Sequence, residues 1–372
     1  MSKDNETENE MEKIQEEIRK TPYHKATQAH IGRLKAKLAR LRSMKEKGSG
    51  KGRAAGFAVK KSGDATVLLV GFPSVGKSTL INKLTNAESK TADYDFTTLD
   101  VIPGMLEYKG AKIQVLDIPG MLMGASKGRG KGRQILSVIR NADLIAILID
   151  DAKQLGLVKK ELYGAGFRLD QPKPDVKIIK KETGGVNIKL AVKKPALDIA
   201  TIKSVLGEFR IHNADVLISE NVTVDQLIDS MMQNRIYVPS LVLFNKIDKM
   251  DNSDLRKIRG IDLDVDAKQN KDVILISALK GENLSVLREA IWKKLDLMRI
   301  YMKRVGKEPD MEEPLIMKAG SKVVDVAEKI LKRHSKYFKH ARIWGPSAKF
   351  PDQKVGTEHR LKDGDIVELH AG

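Results

Sequence analysis

Residues 71–78 read Gly-Phe-Pro-Ser-Val-Gly-Lys-Ser, and the chemistry these residue types allow is phosphate binding. Gly71 and Gly76 permit backbone angles and close approach that a Cβ would block. The loop between them, Phe72, Pro73, Ser74 and Val75, then leads into Lys77, Ser78 and Thr79. Successive amides and a helix N-terminus in such a loop point at phosphate oxygens. Lys77 would bridge the β- and γ-phosphates, and the Ser78 hydroxyl would be a ligand of Mg²⁺. Three further stretches follow in order: Asp117-Ile-Pro-Gly120, Asn245-Lys246-Ile-Asp248 and Ser277-Ala278-Leu279. A carboxylate at Asp117 can hold Mg²⁺ through a water, and the Gly120 amide can sense a γ-phosphate. Asp248 can accept from both N1–H and N2–H of guanine, an arrangement adenine does not offer. A site that leaves such a group unpaired with the wrong base discriminates by roughly 10⁴–10⁵. The Ala278 amide can meet the guanine carbonyl.

Between the first two stretches lies Ala92-Asp-Tyr-Asp-Phe-Thr-Thr-Leu99. A threonine here, Thr98 with Thr97 and Phe96 beside it, could complete a Mg²⁺ shell only while γ-phosphate is present, which makes a switch. Each stretch taken alone has a blander reading: a glycine-rich turn, a strand-end Asx turn, a pair of turn threonines. Their order, each after an apolar run, favours one guanine-nucleotide pocket binding GTP and GDP.

The positioning elements are legible as alternation. Thr66–Val70, Lys112–Leu116, Leu144–Ile149, Ser240–Phe244 and Val273–Ile276 are strand-sized apolar runs, while Ser78–Leu84 and Leu284–Met298 read as helices. That is the pattern of an α/β doubly wound sheet. About ninety residues separate Asp150 from Ser240, where a parallel crossover needs only about a dozen. The interval carries its own pattern: Val176–Lys181 and Asn187–Val192 around a Glu182–Val186 turn read as a hairpin, Asp198–Phe209 as a helix, and Thr223-Val-Asp-Gln226 as a capping box. An inserted small α+β domain is expected at 166–235, dividing a GTPase domain at 61–165 and 236–300. Before it, 1–60 reads as a helical segment with Ile14, Ile18, Ile31, Leu34, Leu38 and Leu41 at helical steps, broken near Thr21-Pro22, with a Gly48–Arg53 linker after it. Beyond a boundary near Val305–Glu313, 301–372 reads as a small mixed domain of ubiquitin-like size. Its elements are Leu315–Lys318, a helix at Lys322–Arg333, and strands near Ala341–Ile343 and Ile366–His370.

Composition bounds the remainder. At 372 residues the chain suits two to four domains. It has no cysteine, which excludes disulfides, thiol catalysis and cysteine-held zinc. The acidic, polar N-terminus is unlike a signal peptide, and no apolar run approaches the ~20 residues of a membrane span. A cytoplasmic protein without membrane contact is expected. The net charge of +18 favours a polyanionic partner, with RNA or the ribosome the natural one. Two basic regions are candidates. The first is Arg33, Lys35, Lys37, Arg40, Arg42, Lys45 and Lys47 in the N-terminal helix. The second is Lys329, Lys332, Arg333, Lys336 and Lys339, interleaved with Tyr337, Phe338 and Trp344. Both have a bland alternative: a solvated face for the first, and rings in the small domain's core for the second. His212, His334 and His340 lack metal-ligand spacing.

The stretches 71–80, 94–99 and 117–120, with the glycine-rich Gly124–Arg133, resemble the developmentally regulated GTP-binding proteins, a branch of the Obg superfamily of translation-factor-related GTPases. The resemblance covers essentially the whole chain. It implies a C-terminal TGS (β-grasp) domain, an insert like the second domain of a small-subunit ribosomal protein, and a small regulatory protein partner. It also implies the roles argued above, with Lys77, Thr98 and Gly120 serving hydrolysis, Ser78, Thr98 and Asp117 serving the metal, and Lys246 lining the base site.

Ras-like enzymes place a water-orienting glutamine just after D-x-x-G; here Met121 stands there, so slow intrinsic hydrolysis is expected. Some related GTPases use K⁺ held by a P-loop asparagine; Ser74 occupies that place, leaving activation by K⁺ or by a partner as alternatives. Arg129 and Arg133 read either as transition-state arginines or as part of a basic loop. Rival functions are an RNA-binding adaptor with a structural guanine nucleotide, separated by turnover, and an ATPase, separated by base competition.

Overall fold

The computed structural model describes residues 3–48, 63–85, 102–117, 142–232, 235–251, 273–331 and 338–371. Two helices open the chain, α1 (Lys3–Lys20) and α2 (Gln28–Gly48). The break falls at Thr21–Pro22 as the proline requires. Ile14, Leu34 and Leu38 form a small buried seam between them, flanked by Met11, Ile18 and Leu41.

The nucleotide-binding fold follows: β1 (Ala65–Val70), α3 (Lys77–Leu84), β2 (Ile102–Tyr108), β3 (Ala111–Asp117), β4 (Leu144–Ile149) and α4 (Ala152–Gly164). Helix α4 is capped by the Asp151 side chain on the Lys153 amide. The next stretch holds β5 (Phe167–Leu169), β6 (Val176–Lys180), β7 (Val186–Leu190), α5 (Ile199–Glu208), β8 (Ala214–Ile218), α6 (Val224–Met231) and β9 (Ile236–Val238). Then come β10 (Ser240–Phe244), β11 (Val273–Leu275) and α7 (Leu284–Lys294). The last part holds β12 (Leu297–Lys303), β13 (Leu315–Lys318), α8 (Val323–Leu331), β14 (Phe338–Trp344), β15 (Gln353–Val355) and β16 (Asp365–Ala371).

These elements form two compact units. One holds the nucleotide-binding sheet, ordered β11-β10-β4-β1-β3-β2. Every neighbouring pair is parallel except the β2–β3 hairpin. β1 and β4 are buried along their whole length, which is why they read as continuous apolar runs rather than alternation. The same unit carries a five-stranded sheet, β13-β12-β16-β14-β15, packed on α8. Strand β12 corrects two expectations: the helix ending expected at Met298 stops at Lys294, and Leu297 already begins this second sheet, ahead of 301. The stretch Val305–Glu313 is the connection inside the antiparallel β12–β13 pair, not a boundary.

The other unit joins α1 and α2 to the elements between Gly166 and Tyr237. Expected as a separate segment, α2 instead supplies Ala36 to the core formed by α5, α6 and β8. Gly32 allows the close approach, since a Cβ there would sit 3.2 Å from Val205 and 3.3 Å from Thr201. The Thr223–Gln226 capping box is present with both reciprocal hydrogen bonds. The hairpin expected across Glu182–Val186 is not: β8 lies between β6 and β7, antiparallel to the first and parallel to the second. In the same unit Asp229 accepts from Arg168 at 2.5 and 2.8 Å and from Arg235 at 2.9 Å, all three side chains being largely buried.

Candidate nucleotide-binding site

The site forms at the carboxyl ends of β1, β3, β4, β10 and β11. After Val70 the chain turns through Gly71–Gly76 onto α3. A Cβ on Gly71 would lie 2.3 Å from the Leu148 carbonyl of the neighbouring strand, and one on Gly76, at φ +97°, would lie 2.5 Å from Asn245 Nδ2. Both glycines are therefore demanded by their surroundings. Gly76 is also the N-cap of α3, and no side chain caps this helix, which leaves the first-turn amides of Lys77, Ser78 and Thr79 for an anion. Lys77 folds back over the loop, its Nζ donating to the carbonyls of Gly71 (3.2 Å) and Phe72 (3.1 Å). Val75 is buried and Phe72 packs against the core, while Pro73, Ser74, Ser78 and Thr79 are exposed.

Asp117 ends β3 and is buried. Its Oδ2 lies 3.5 Å from Ser78 Oγ, which donates to it, and its Oδ1 is buried with no hydrogen-bond partner among the described residues. Burial raises its carboxyl above the usual range, opposed by the Lys77 charge and the Ser78 hydroxyl. An orphaned carboxylate oxygen beside a serine hydroxyl is a hard oxygen donor set, and it fits Mg²⁺.

The base side is tied to the phosphate side by one buried residue. Asn245 Nδ2 donates to the Val75 carbonyl (2.8 Å), and its Oδ1 accepts from the Ala278 amide (2.9 Å). Lys246, with φ 66°, donates from Nζ to the Ser74 carbonyl (2.9 Å) and to Asp150 (2.5 Å). Burial pushes the Asp150 carboxyl up, but its bonds from Lys246 and Gln154 outweigh this and hold it below the usual carboxylate range. Asp150 was not among the residues expected from sequence; its only local signal is an acid directly after the apolar strand β4. Asp248 accepts from Ser277 Oγ at 2.6 Å, and that bond holds its carboxyl low against desolvation. Ser277 Oγ in turn accepts from the Lys280 amide. Leu279 is 66% exposed at the rim.

The fold thus gathers Gly71–Thr79, Asp117, Asn245, Lys246, Asp248 and Ser277–Leu279 at the carboxyl end of one sheet. Phe96, Thr97, Thr98 and Gly120 lie outside the described residues, as do Met121, Arg129 and Arg133. Of the basic N-terminal face, Lys35 pairs with Asp225, Lys37 with Glu10, and Arg40 donates to the Glu208 carbonyl, so part of that charge is spent within its own unit.

Comparison with known proteins agrees with this geometry. Residues 66–181 match the family model described as 50S ribosome-binding GTPase, 183–297 match the C-terminal region of that domain, and 298–371 match the TGS domain. The chain is a guanine-nucleotide-binding protein of the P-loop GTPase class with a TGS domain. It is 43% identical to developmentally-regulated G-protein 3 of Arabidopsis thaliana, over 96% of this chain and 97% of that one. It is 41% identical to developmentally-regulated GTP-binding protein 1 of Xenopus laevis, over 96% of each. It is also 53% identical to an uncharacterized GTP-binding protein of Methanocaldococcus jannaschii, over 97% of this chain and 92% of that one. The chain belongs to the developmentally regulated GTP-binding protein family. No helix among the described residues is long and apolar enough to cross a membrane.

Proposed function

We propose that this chain hydrolyses GTP to GDP and phosphate as a slow molecular switch. The observation that carries the reading is the Asn245 strut, whose side chain ties the phosphate loop to the base loop through the Val75 carbonyl and the Ala278 amide. In this account the open first turn of α3 and Lys77 bind the phosphates. Gly71–Thr79 lie along them, and Asp248, Ser277, Ala278 and Leu279 face the base. Lys246 and Asp150 brace the wall between. Ser78 and Asp117 would hold Mg²⁺, with Thr98 joining them; when bound, the ion neutralises charge developing on the phosphate oxygens. Thr98 and Gly120 keep the switch roles argued from sequence, with Phe96 and Thr97 beside them. Met121 supplies no water-orienting amide, so hydrolysis is expected to need a monovalent cation or a partner to become fast.

The setting we infer is ribosome- or RNA-linked, in translation. Supporting it are the net charge of +18 and the description of the matching family model. The test is GTP turnover with and without ribosomes, in K⁺ and in Na⁺ buffer. Acceleration by ribosomes supports the setting, and acceleration by K⁺ over Na⁺ supports cation activation. A chain that binds GTP and never turns it over under any of these conditions is the adaptor instead.

A further inference from the structure

Two successive carbonyls of the phosphate loop are held by two successive residues of the base loop. Asn245 donates to the Val75 carbonyl at 2.8 Å, and Lys246 Nζ donates to the Ser74 carbonyl at 2.9 Å. The same ammonium donates to Asp150 Oδ2 at 2.5 Å. Asp150 is itself oriented from the start of α4. Gln154 donates from Nε2 to Asp150 Oδ1 at 2.7 Å, and its Oε1 accepts from the Asp150 amide at 3.2 Å. One carboxylate oxygen is thus occupied by Gln154, and the other is left for Lys246. The chain of contacts from Gln154 through Asp150 and Lys246 to Ser74 ties the end of β4 to the phosphate loop.

What this chain of contacts holds is a strained backbone. Ser74 has φ 62°, in the left-handed region that an L side chain disfavours, and Lys246 is left-handed too at φ 66°. The hydrogen bond between them joins two residues in a conformation that neither side chain favours. The described residues contain no cis peptide bond, and in a trans peptide the carbonyl and the following amide point in opposite directions. With the Ser74 carbonyl drawn onto the ammonium, the Val75 N–H is turned to the opposite side. An amide presented there, rather than a carbonyl oxygen, is what a phosphate needs from such a loop. If the ammonium were released, Ser74 could relax toward negative φ, turning its carbonyl and the Val75 amide with it.

We propose that Asp150 is a positioning residue of the nucleotide pocket: by anchoring the Lys246 ammonium it keeps Ser74 left-handed and the Val75 amide available to phosphate, and so sets how slowly guanine nucleotide leaves. This rests on the guanine-nucleotide reading of the pocket and adds to it a residue that belongs to none of the four motifs. Asp150 acts through Lys246 and does not itself read the base. Its contribution is therefore the same for any purine nucleoside diphosphate that Asp248 admits. It falls mainly on release, because a loop held ready before binding chiefly lengthens the lifetime of the complex.

The test uses the full chain and stopped-flow release of N-methylanthraniloyl-GDP, with urea midpoints to confirm that each variant is folded. The Asp150 and Lys246 side chains are 23% and 33% exposed, so their charge-assisted bond is partly screened. On that footing Asp150→Ala should speed release about tenfold, with association changed less than threefold. Asp150→Asn, which keeps the shape and loses the charge, should do nearly the same and serves if the alanine variant is poorly folded. Two backgrounds separate positioning from a merely structural role. In Lys246→Met, which keeps the stem and removes the ammonium, Asp150→Ala should have no further effect on release. In Ser74→Gly, where φ 62° carries no strain, the effect of Asp150→Ala should shrink to about threefold or less. Inosine diphosphate affinity should fall by the same factor as GDP affinity in Asp150→Ala. Wild-type release from Asp150→Ala and Asp150→Asn would overturn the inference, as would a tenfold effect that persists undiminished in Lys246→Met. Unchanged GDP affinity in Lys246→Met and in Asp248→Ala would instead overturn the reading of the pocket.

Discussion

Replacing Asn245 by alanine removes two hydrogen bonds at once. The Val75 carbonyl loses a donor at 2.8 Å and the Ala278 amide loses an acceptor at 2.9 Å. Val75, Asn245 and Ala278 are all buried, so water does not readily replace what is lost. An unsatisfied buried group costs about 1–3 kcal/mol, and two give roughly 2–6 kcal/mol before relaxation. Part of this appears in stability, because the loops remain on rigid strands. The part that matters for function is coupling: a bound nucleotide must then itself impose the juxtaposition of phosphate loop and base loop. Taking ~2 kcal/mol as the share borne by binding, affinity for a fluorescent GDP analogue should fall about 30-fold. Asn245→Asp sharpens the test. It is nearly isosteric, yet it turns a donor into an acceptor facing the Val75 carbonyl, and it should weaken binding at least as much as alanine does. Equilibrium titration with the analogue, alongside urea unfolding, reads both effects. Affinity within threefold of wild type in both variants would refute the claim that this strut organises the site.

Three further outcomes are expected. Asp117→Asn should stabilise the nucleotide-free protein at neutral pH, because burial raises the Asp117 carboxyl and folding there disfavours its ionised form. That gain should shrink as pH falls through the raised value toward the ordinary carboxylate range, where wild type is protonated too; urea midpoints across pH measure it, and a gain that grows toward acid would contradict the sign. Gly110→Ala should destabilise by about 1–3 kcal/mol, since Gly110 has φ +81° and a Cβ would lie 2.5 Å from Pro314 Cγ. Pro314→Ala in the same chain should recover the steric part of that loss in thermal unfolding. Asp229→Ala should cost about 3–5 kcal/mol by leaving Arg168 buried without its carboxylate, read as a lower urea midpoint in the unit that contains α5 and α6.

What the sequence disclosed, and what it hid, follows from the range of each interaction. The phosphate loop was legible because its glycines, lysine and serine are adjacent and their geometry is local. The capping box at Thr223 was legible for the same reason. The supposed hairpin at Glu182–Val186 was misread because its turn chemistry is local while the strand that separates its arms, β8, arrives only after α5. The helix expected to run to Met298 overran because apolar residues continue past Lys294 into β12 without a helix breaker. Asp150 went unnoticed because its partner, Lys246, is 96 residues away in sequence. Trp344 could be placed in a core or on a surface from sequence alone; the strand register puts it opposite Ile366 on the face away from α8.

The central claim is that a guanine-specific pocket turns over GTP. Release of inorganic phosphate from equal concentrations of GTP and ATP, with Mg²⁺ and with a chelator, tests it most directly. The account predicts slow phosphate release from GTP that requires Mg²⁺ and is lost in Lys77→Ala, with ATP left intact. Equal release from ATP, or release from GTP that survives Lys77→Ala, would contradict it.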